Sequence, residues 1–354
     1  MIEIGYLSDY PFYVGFGGKE IQLLNYLKYI NKNSNVFKIK LLNHWDKREL
    51  DSVEILHFFG HGHFYHIYKL LKSNASDKKI ILSPNMYYQG WKFGKFAFFI
   101  GSNLPFPNFY RNIKFEIENS DLVIVNSNSE KEKIFKTITS NAKVEVVYNA
   151  IEDDFLIIED DEKDEFLKRF NLEKSSYVLS VGMLDERKNS INMIKAFLNV
   201  QKDLDKKLVI IGSPRFSRKE NYDLFKKLID NNKSIIHIPY INKETELSLL
   251  KSAYYNCAFH YLPSHIETPG ISNLEALSYG KNIVVGKCPP VEEYFGSHAV
   301  YCDPKDIGSI ERALVECNKM SYYNEDNKEL VKSNFIYSKV IKKLLEIYKD
   351  VRNK

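Results

Sequence analysis

The chain has 354 residues, 44% hydrophobic and 27% charged, with a net charge of +4. That length exceeds what one hydrophobic core ordinarily serves, so two domains are expected. A charge excess this small and diffuse does not mark a nucleic-acid-binding protein, and no apolar run approaches the roughly 20 residues of a membrane span. Residues 1–150 carry 19 Lys and Arg against 14 Asp and Glu, a net of +5, and the rest carries 31 against 32, a net of −1. The N-terminal half therefore reads as the side that meets an anionic partner, a membrane surface or a phosphorylated ligand. Cys257, Cys288, Cys302 and Cys317 lie far apart without metal-ligand or redox spacing, which suits buried, reduced thiols in a cytoplasmic protein. The opening "MIEIGYLSDY" lacks a cationic start and a long apolar run, and reads as a strand rather than a signal peptide.

In chain order, strand-like runs fall at 2–7, 37–42, 54–59, 79–83, 122–126 and 144–148, with helical spacing over 19–30 (Leu23, Leu27, Ile30) and 129–137. After the first strand, "VGFGGKEIQLL" (14–24) places Gly17, Gly18 and Glu20 where the backbone could approach a phosphate or an acceptor closely. A dinucleotide fingerprint follows its strand at once and precedes an acidic ribose ligand. Here some eight residues intervene and the second strand ends without an acid, which disfavours an oxidoreductase. "LHFFGHGHFYH" (56–66) holds His57 within a strand and His61, His63 and His66 beyond it. No Cys or acid stands at ligand spacing nearby, so no metal is expected, and His61 and His63, beyond the strand's carboxyl end, read as residues lining a cleft. "SPNMYYQG" (83–90) offers Asn85 as its polar group. "YYQGWKFGKFAFFI" (87–100) mixes Trp91, Phe93, Phe96 and Phe98 with Lys92 and Lys95. It reads equally as a sugar-stacking or bilayer-docking segment, or as core aromatics with exposed lysines.

The acidic stretch 149–166 reads as an exposed linker. Beyond it, strands fall at 177–182, 207–212, 235–240, 258–262, 282–286 and 299–302, and helices near 190–202, 220–231, 243–255, 272–279 and 305–320. Val340, Leu344, Ile347 and Val351 mark one last helix. β-branched runs alternating with amphipathic helices predict an α/β protein of two Rossmann-like domains, their parallel sheets covered on both faces and a cleft between them. Ligands of such sheets sit outside the carboxyl ends of the strands.

"HIETPGISNLEALSYG" (265–280) lies at such an end. Amides from Gly270 through Ile271 and Ser272 to Asn273 would open a helix there and form an anion site. Glu267 and Glu275 would flank it, and carboxylates accept hydrogen bonds from vicinal hydroxyls. A sugar at one end, a ribose at the other and a diphosphate between them is the shape of a nucleotide-sugar. A loop charge at 267 and a solvated helix glutamate at 275 are the alternative.

"PSHIETPGISNLEALSYGKNIVV" resembles the donor-site signature of retaining glycosyltransferase family 4, the glycosyl transferases group 1 family of GT-B fold. The match includes Glu, seven residues, Glu, and Gly270; the usual Gly-Phe-Gly turn is replaced by Thr268-Pro269-Gly270. "SVGMLDERKNSINMIKAF" (180–197) resembles the family's cation-bearing strand-loop-helix, with Gly182 closing the strand and Lys188 on the family lysine. Met183 stands where an Arg is common, and Arg187 is next to Lys188. "VVYNAIEDDF" (146–155) resembles the family's turn into the linker, with Asn149 in place.

The resemblance implies an acceptor-binding domain over 1–152 joined by the helix of about 335–354, and a donor-binding domain over 153–334. It implies a hexosyltransferase that keeps the anomeric configuration, with Arg187 and Lys188 on the leaving diphosphate, Glu267 on the donor sugar and Glu275 on the ribose. It implies no cofactor beyond the nucleotide-sugar substrate, a glycan or lipid-linked acceptor, and a role in cell-surface polysaccharide or glycoconjugate assembly, peripheral to the inner face of the membrane. The departures at Met183 and at Asn85, where many members carry histidine, leave a GT-B relative without transferase activity as the alternative, either a sugar-nucleotide epimerase or a non-catalytic partner subunit.

Overall fold

The computed structural model describes residues 1–12, 17–43, 46–73, 77–86, 94–106 and 108–353. The chain divides into two units, residues 1–150 with 337–354, and residues 151–336.

The N-terminal unit runs β1 (Ile2–Ser8), α1 (Gly18–Asn33), β2 (Phe37–Leu41), α2 (Lys47–Asp51), β3 (Ile55–Phe59), α3 (Tyr65–Ser73), β4 (Lys79–Ser83), α4 (Gly94–Asn103), α5 (Phe109–Glu118), β5 (Leu122–Val125), α6 (Asn128–Thr137) and β6 (Val144–Val146). All its strand pairs are parallel, in the order β2-β1-β3-β4-β5-β6. The C-terminal unit runs α7 (Glu165–Phe170), β7 (Tyr177–Val181), α8 (Ser190–Leu204), β8 (Lys207–Ile211), α9 (Lys219–Asp230), β9 (Ile235–Ile238), α10 (Leu247–Asn256), β10 (Phe259–Leu262), α11 (Ile271–Leu277), β11 (Asn282–Gly286), α12 (Pro289–Phe295), β12 (Val300–Cys302), α13 (Ile307–Asn318) and α14 (Glu325–Asn334). Its sheet is also parallel, in the order β12-β11-β10-β7-β8-β9. The twelve strands expected from the sequence all form, most of them shorter by a residue or two. α10 begins four residues later than its periodicity suggested, leaving Lys243 in the preceding loop.

Strand order fixes where ligands can sit. The chain reverses its direction across the sheet between β1 and β3 in the first unit and between β7 and β10 in the second. Those two junctions are the topological switch points, where connecting loops diverge and leave a crevice at the strands' carboxyl ends.

α15 (Tyr337–Asn353) returns to the first unit and buries Tyr337, Val340, Ile341, Leu344 and Tyr348 in the core with Ile4, Tyr6 and Tyr26. The Tyr348 hydroxyl lies 2.6 Å from that of Tyr6 and 2.8 Å from Nδ1 of His57, whose Nε2 meets Ser83 Oγ at 2.8 Å. The expected exposed linker is corrected at its start. Asn149, Ala150, Ile151 and Phe155 are buried, and Ile151 forms a parallel bridge with Ile336, so the outgoing and returning chain run side by side. Ala150, Ile151 and Phe155 drive the burial despite the acidic run that follows. All four cysteines are buried free thiols. No helix among the described residues is long and apolar enough to cross a membrane.

Candidate functional site

At the β7/β10 switch point, Gly182 follows β7 with φ +148°, a conformation that favours glycine. The loop to α8 is closed by Asp185, whose Oδ1 accepts the Lys188 N–H at 2.6 Å, and by Asn189, whose Nδ2 donates to the carbonyls of Pro263 and Pro304. The His265 N–H donates to the Arg187 carbonyl at 2.9 Å, tying this loop to the one after β10. The side chains meet there. Lys188 Nζ is ion-paired with Glu267 Oε1, and Arg187 Nη1 stands 3.3 Å from the same oxygen while donating to the Ile266 carbonyl. The end of Lys188 also passes within 4 Å of the position a Cβ on Gly182 would take.

Glu267 is 8% exposed. Burial pushes its carboxyl up, but the charges of Lys188 and Arg187 outweigh it and hold the group below its ordinary value. Gly270 has φ +85°, and a Cβ there would come 2.9 Å from Asn273 Nδ2 and 3.3 Å from Glu267 Oε2. The turn thus requires glycine. One expectation is corrected here. The Asn273 amide donates to the Gly270 carbonyl at 3.0 Å, which removes it from the expected set and leaves the amides of Gly270, Ile271 and Ser272. Beneath the turn, Ser264 Oγ, Asn273 Oδ1 and His260 Nδ1 are buried without a hydrogen bond of good geometry. Ser264 and Asn273 are still close enough to bias the charge states of Glu267 and His260. Burial drives His260 down to about 3, keeping it neutral.

Glu275 lies on α11, 3% exposed, with both oxygens engaged: Oε1 accepts from Lys243 Nζ at 2.5 Å and Oε2 from the Tyr254 hydroxyl at 2.6 Å. It is not a solvated helix glutamate. Lys243 also borders a cavity of about 230 Å³ at the ends of β7, β8 and β9. Val181, Ile211, Ile241 and Leu250 give it apolar walls, and Met183, Arg215 and Tyr240 also line it. Two larger openings, of about 300 and 410 Å³, lie at the amino ends of the N-terminal sheet, around Lys79, and so at the wrong end of the strands for a ligand crevice.

The second crevice, at the β1/β3 switch point, is built differently. Tyr10 follows β1, and His61 and His63 follow β3. The Tyr10 ring is 4.9 Å from that of His63, and Phe109 is 5.7 Å from His61 and 6.3 Å from His63. The His61 Nδ1 is 2.6 Å from the Pro84 carbonyl oxygen, which can only accept, so that nitrogen carries the ring proton. Glu116, buried on α5, accepts the Gly62 N–H at 2.6 Å and the Phe64 N–H at 2.7 Å and so holds the histidine loop. Burial pushes its carboxyl up to about 7.

Lys19 is ion-paired with Asp9 and stands 3.1 Å from Glu20. Gly17 precedes α1 and Gly18 is its first residue, while Glu20 Oε2 accepts the Gly17 N–H at 2.9 Å, a helix cap. Asn85 has φ +47° and its Oδ1 accepts from Asn126 Nδ2 at 2.5 Å. Of the aromatic segment, Trp91, Lys92 and Phe93 lie outside the described residues; Phe98 is buried and Phe96 is 67% exposed. No group of three His, Cys, Asp or Glu among the described residues could hold a metal ion.

Sequence reasoning found Lys188, Arg187, Glu267 and Glu275 but not Lys243, Tyr254, His260 or Arg215. Lys243 and Tyr254 come from distant segments and meet Glu275 only in the fold. His260 carried a signal, a histidine within the apolar strand "AFHYL".

Residues 161–334 match the model of the family described as glycosyl transferases group 1. The uncharacterized glycosyltransferase MJ1069 of Methanocaldococcus jannaschii is 24% identical over 253 residues, 68% of this chain and 61% of that protein. The O-antigen chain mannosyltransferase RfbU of Salmonella typhimurium is 23% identical over 236 residues, 63% of this chain and 62% of that protein. The matches thus span about three-fifths of the length of these curated relatives. Among solved structures, Alr3699/HepE of Anabaena in complex with UDP and glucose superposes with a TM-score of 0.76 at 10% identity, covering 99% of this chain and 100% of that one. The two parallel six-stranded sheets with flanking helices are those of the GT-B fold.

Proposed function

We propose that this chain is a retaining glycosyltransferase, transferring a hexose from a nucleotide-sugar to a hydroxyl of a glycan or glycolipid. The observation that carries the reading is the ion cluster at the β7/β10 switch point. Two cations converge on one buried carboxylate beside Gly270, inside the residues that match the group 1 family. The related names and the UDP and glucose bound by the Anabaena protein agree with that class of donor.

In this reading the donor diphosphate lies against Gly182, next to Lys188 and Arg187. The bond between the anomeric carbon and the phosphate oxygen breaks as the acceptor oxygen bonds that carbon on the same face. The acceptor proton passes to the departing phosphate oxygen. Lys188, Arg187 and the Ile271 and Ser272 amides stabilise the charge growing on that phosphate, which is where preorganised electrostatics act most strongly. Glu267 accepts hydrogen bonds from the donor sugar, and Glu275 with Lys243 serves the ribose end. The chemistry requires no metal or other cofactor. The rings of Tyr10, His63 and Phe109, with His61, Asn85 and the Gly17–Glu20 loop, belong to the acceptor side. Peripheral contact with an anionic bilayer is supported by the exposed Phe96, Phe99, Ile100 and Phe106 and by the first unit's 25 Lys and Arg against 16 Asp and Glu.

A thermal-shift panel of UDP-, GDP- and ADP-sugars, followed by an assay for released nucleotide, tests the reading. Binding of one donor class raises the melting temperature with concentration, and an acceptor accelerates nucleotide release. No shift and no release with any donor would overturn it.

A further inference from the structure

The cavity beside Lys243 carries more information than the presence of a nucleotide. In a sheet of this order the pyrophosphate sits over the first strand, β7, and the nucleoside extends toward the neighbouring strands. The cavity follows that path, opening at the ends of β8 and β9. The loops after β7 and β8 are zipped together there: Leu184 N–H donates to the Ser213 carbonyl at 3.0 Å and Arg215 N–H to the Leu184 carbonyl at 2.7 Å. This ladder fixes the backbone of Arg215 beside Met183 at the cavity wall. The Arg215 side chain is exposed and has neither an ion pair nor a hydrogen bond among the described residues. Tyr240, 70% exposed, lines the same space. Lys243, by contrast, already has its ammonium on Glu275.

We propose that Arg215 reads the base of the donor nucleotide and selects guanine, so that the donor is a GDP-sugar. The inference rests on the transferase reading above and names its substrate. A guanidinium presents parallel N–H donors, and O6 and N7 of guanine are two adjacent acceptors that accept them bidentately. Adenine sets an amino donor beside N7, and uracil sets an N–H between its two carbonyls, so neither edge matches the fork. The apolar walls and the Tyr240 ring suit the faces of a purine. Phosphate contact by the same arginine is the competing role, and it predicts no preference among bases.

The test is titration calorimetry of the full chain with GDP, UDP and ADP, for the native protein and for Arg215→Ala and Arg215→Lys. GDP binds about tenfold or more tighter than the other two in the native chain, the discrimination of one good bidentate pair. Arg215→Ala brings GDP down to the affinity of UDP and leaves UDP unchanged. Arg215→Lys, a point charge without the fork, does not restore the preference. The exposed position lets both variants fold as the native chain does, and an unchanged melting temperature of the free variants checks it. UDP or ADP binding as tightly as GDP, or an equal loss for all three in Arg215→Ala, would overturn the assignment while leaving the transferase reading intact. Absence of binding by all three nucleotides to the native chain would overturn both.

Discussion

The crevice of the C-terminal unit is ionic, its carboxylates paired: Lys188 and Arg187 on Glu267, Lys243 and Tyr254 on Glu275. The crevice of the N-terminal unit, at the equivalent place in its own sheet, is lined by Tyr10, His63 and Phe109, with the Lys19 ammonium neutralised by Asp9 and Glu20. The surfaces run the other way. The first unit carries a net charge of +9 and the second, with 25 Lys and Arg against 30 Asp and Glu, a net of −5. Local chemistry at a switch point is therefore independent of the overall charge of the unit that bears it. Cations held in place by carboxylates stand ready for a phosphate without reorganising. Rings with polar edges suit a neutral ligand rich in hydroxyls.

Removing one cation should separate the two crevices most sharply. Lys188→Met is expected to lower turnover by about 10²–10³, the cost of one preorganised electrostatic contact. The same substitution has a stability signature. Glu267 is held below its ordinary value, so its contribution is present above the unfolded-state value, about 4.3, and is lost as pH falls through the folded one. Without Lys188, burial prevails, and unfolding free energy measured from pH 6 to pH 3 falls less steeply than in the native chain. Native turnover in Lys188→Met would remove the lysine from the mechanism.

Glu275→Ala is expected to cost roughly 2–4 kcal/mol of stability, because it strands the buried Tyr254 hydroxyl and the Lys243 ammonium. Urea denaturation reads this directly. A loss below about 1 kcal/mol would mean that the carboxylate is not held as described.

The sheets were legible in the sequence because the strands are short apolar runs rich in β-branched or aromatic residues and bounded by turn or polar residues. The loops after β7 and β10 were legible because their residues are contiguous: Arg187 adjoins Lys188, and Glu267, Gly270 and Glu275 fall within one short stretch. What escaped was assembly. Nothing in "PYINKETELSLL" shows Lys243 reaching Glu275, 32 positions later. Nor does "SPRFSRKE" show Arg215 against the loop after β7, since that contact depends on a backbone ladder between two loops. Helices such as α3, α4 and α5 escaped for a different reason, their apolar positions being mixed with aromatics and histidines that blur a helical period. Glu116 was unreadable for a simpler one: a glutamate in the mixed, charged stretch "RNIKFEIENS" looks solvated until Gly62 and Phe64 supply its hydrogen bonds.

That glutamate gives the smallest effect and the clearest contrast with Glu267. Its folded value is raised to about 7 by burial, against the pull of backbone N–H groups. A carboxyl raised on folding stabilises the native state below its unfolded value and loses that contribution as pH rises through the folded one. Stability attributable to Glu116 should therefore fall by roughly 2–3 kcal/mol between about pH 4.5 and pH 8. Glu116→Gln cannot titrate, so the native-minus-variant difference in unfolding free energy should decline with rising pH. The corresponding difference for Lys188→Met should increase with pH across the carboxylate range. Opposite slopes follow from one distinction: Glu267 is buried with cations and Glu116 is buried with amides. If both differences slope the same way, the two crevices do not differ electrostatically as their side chains indicate.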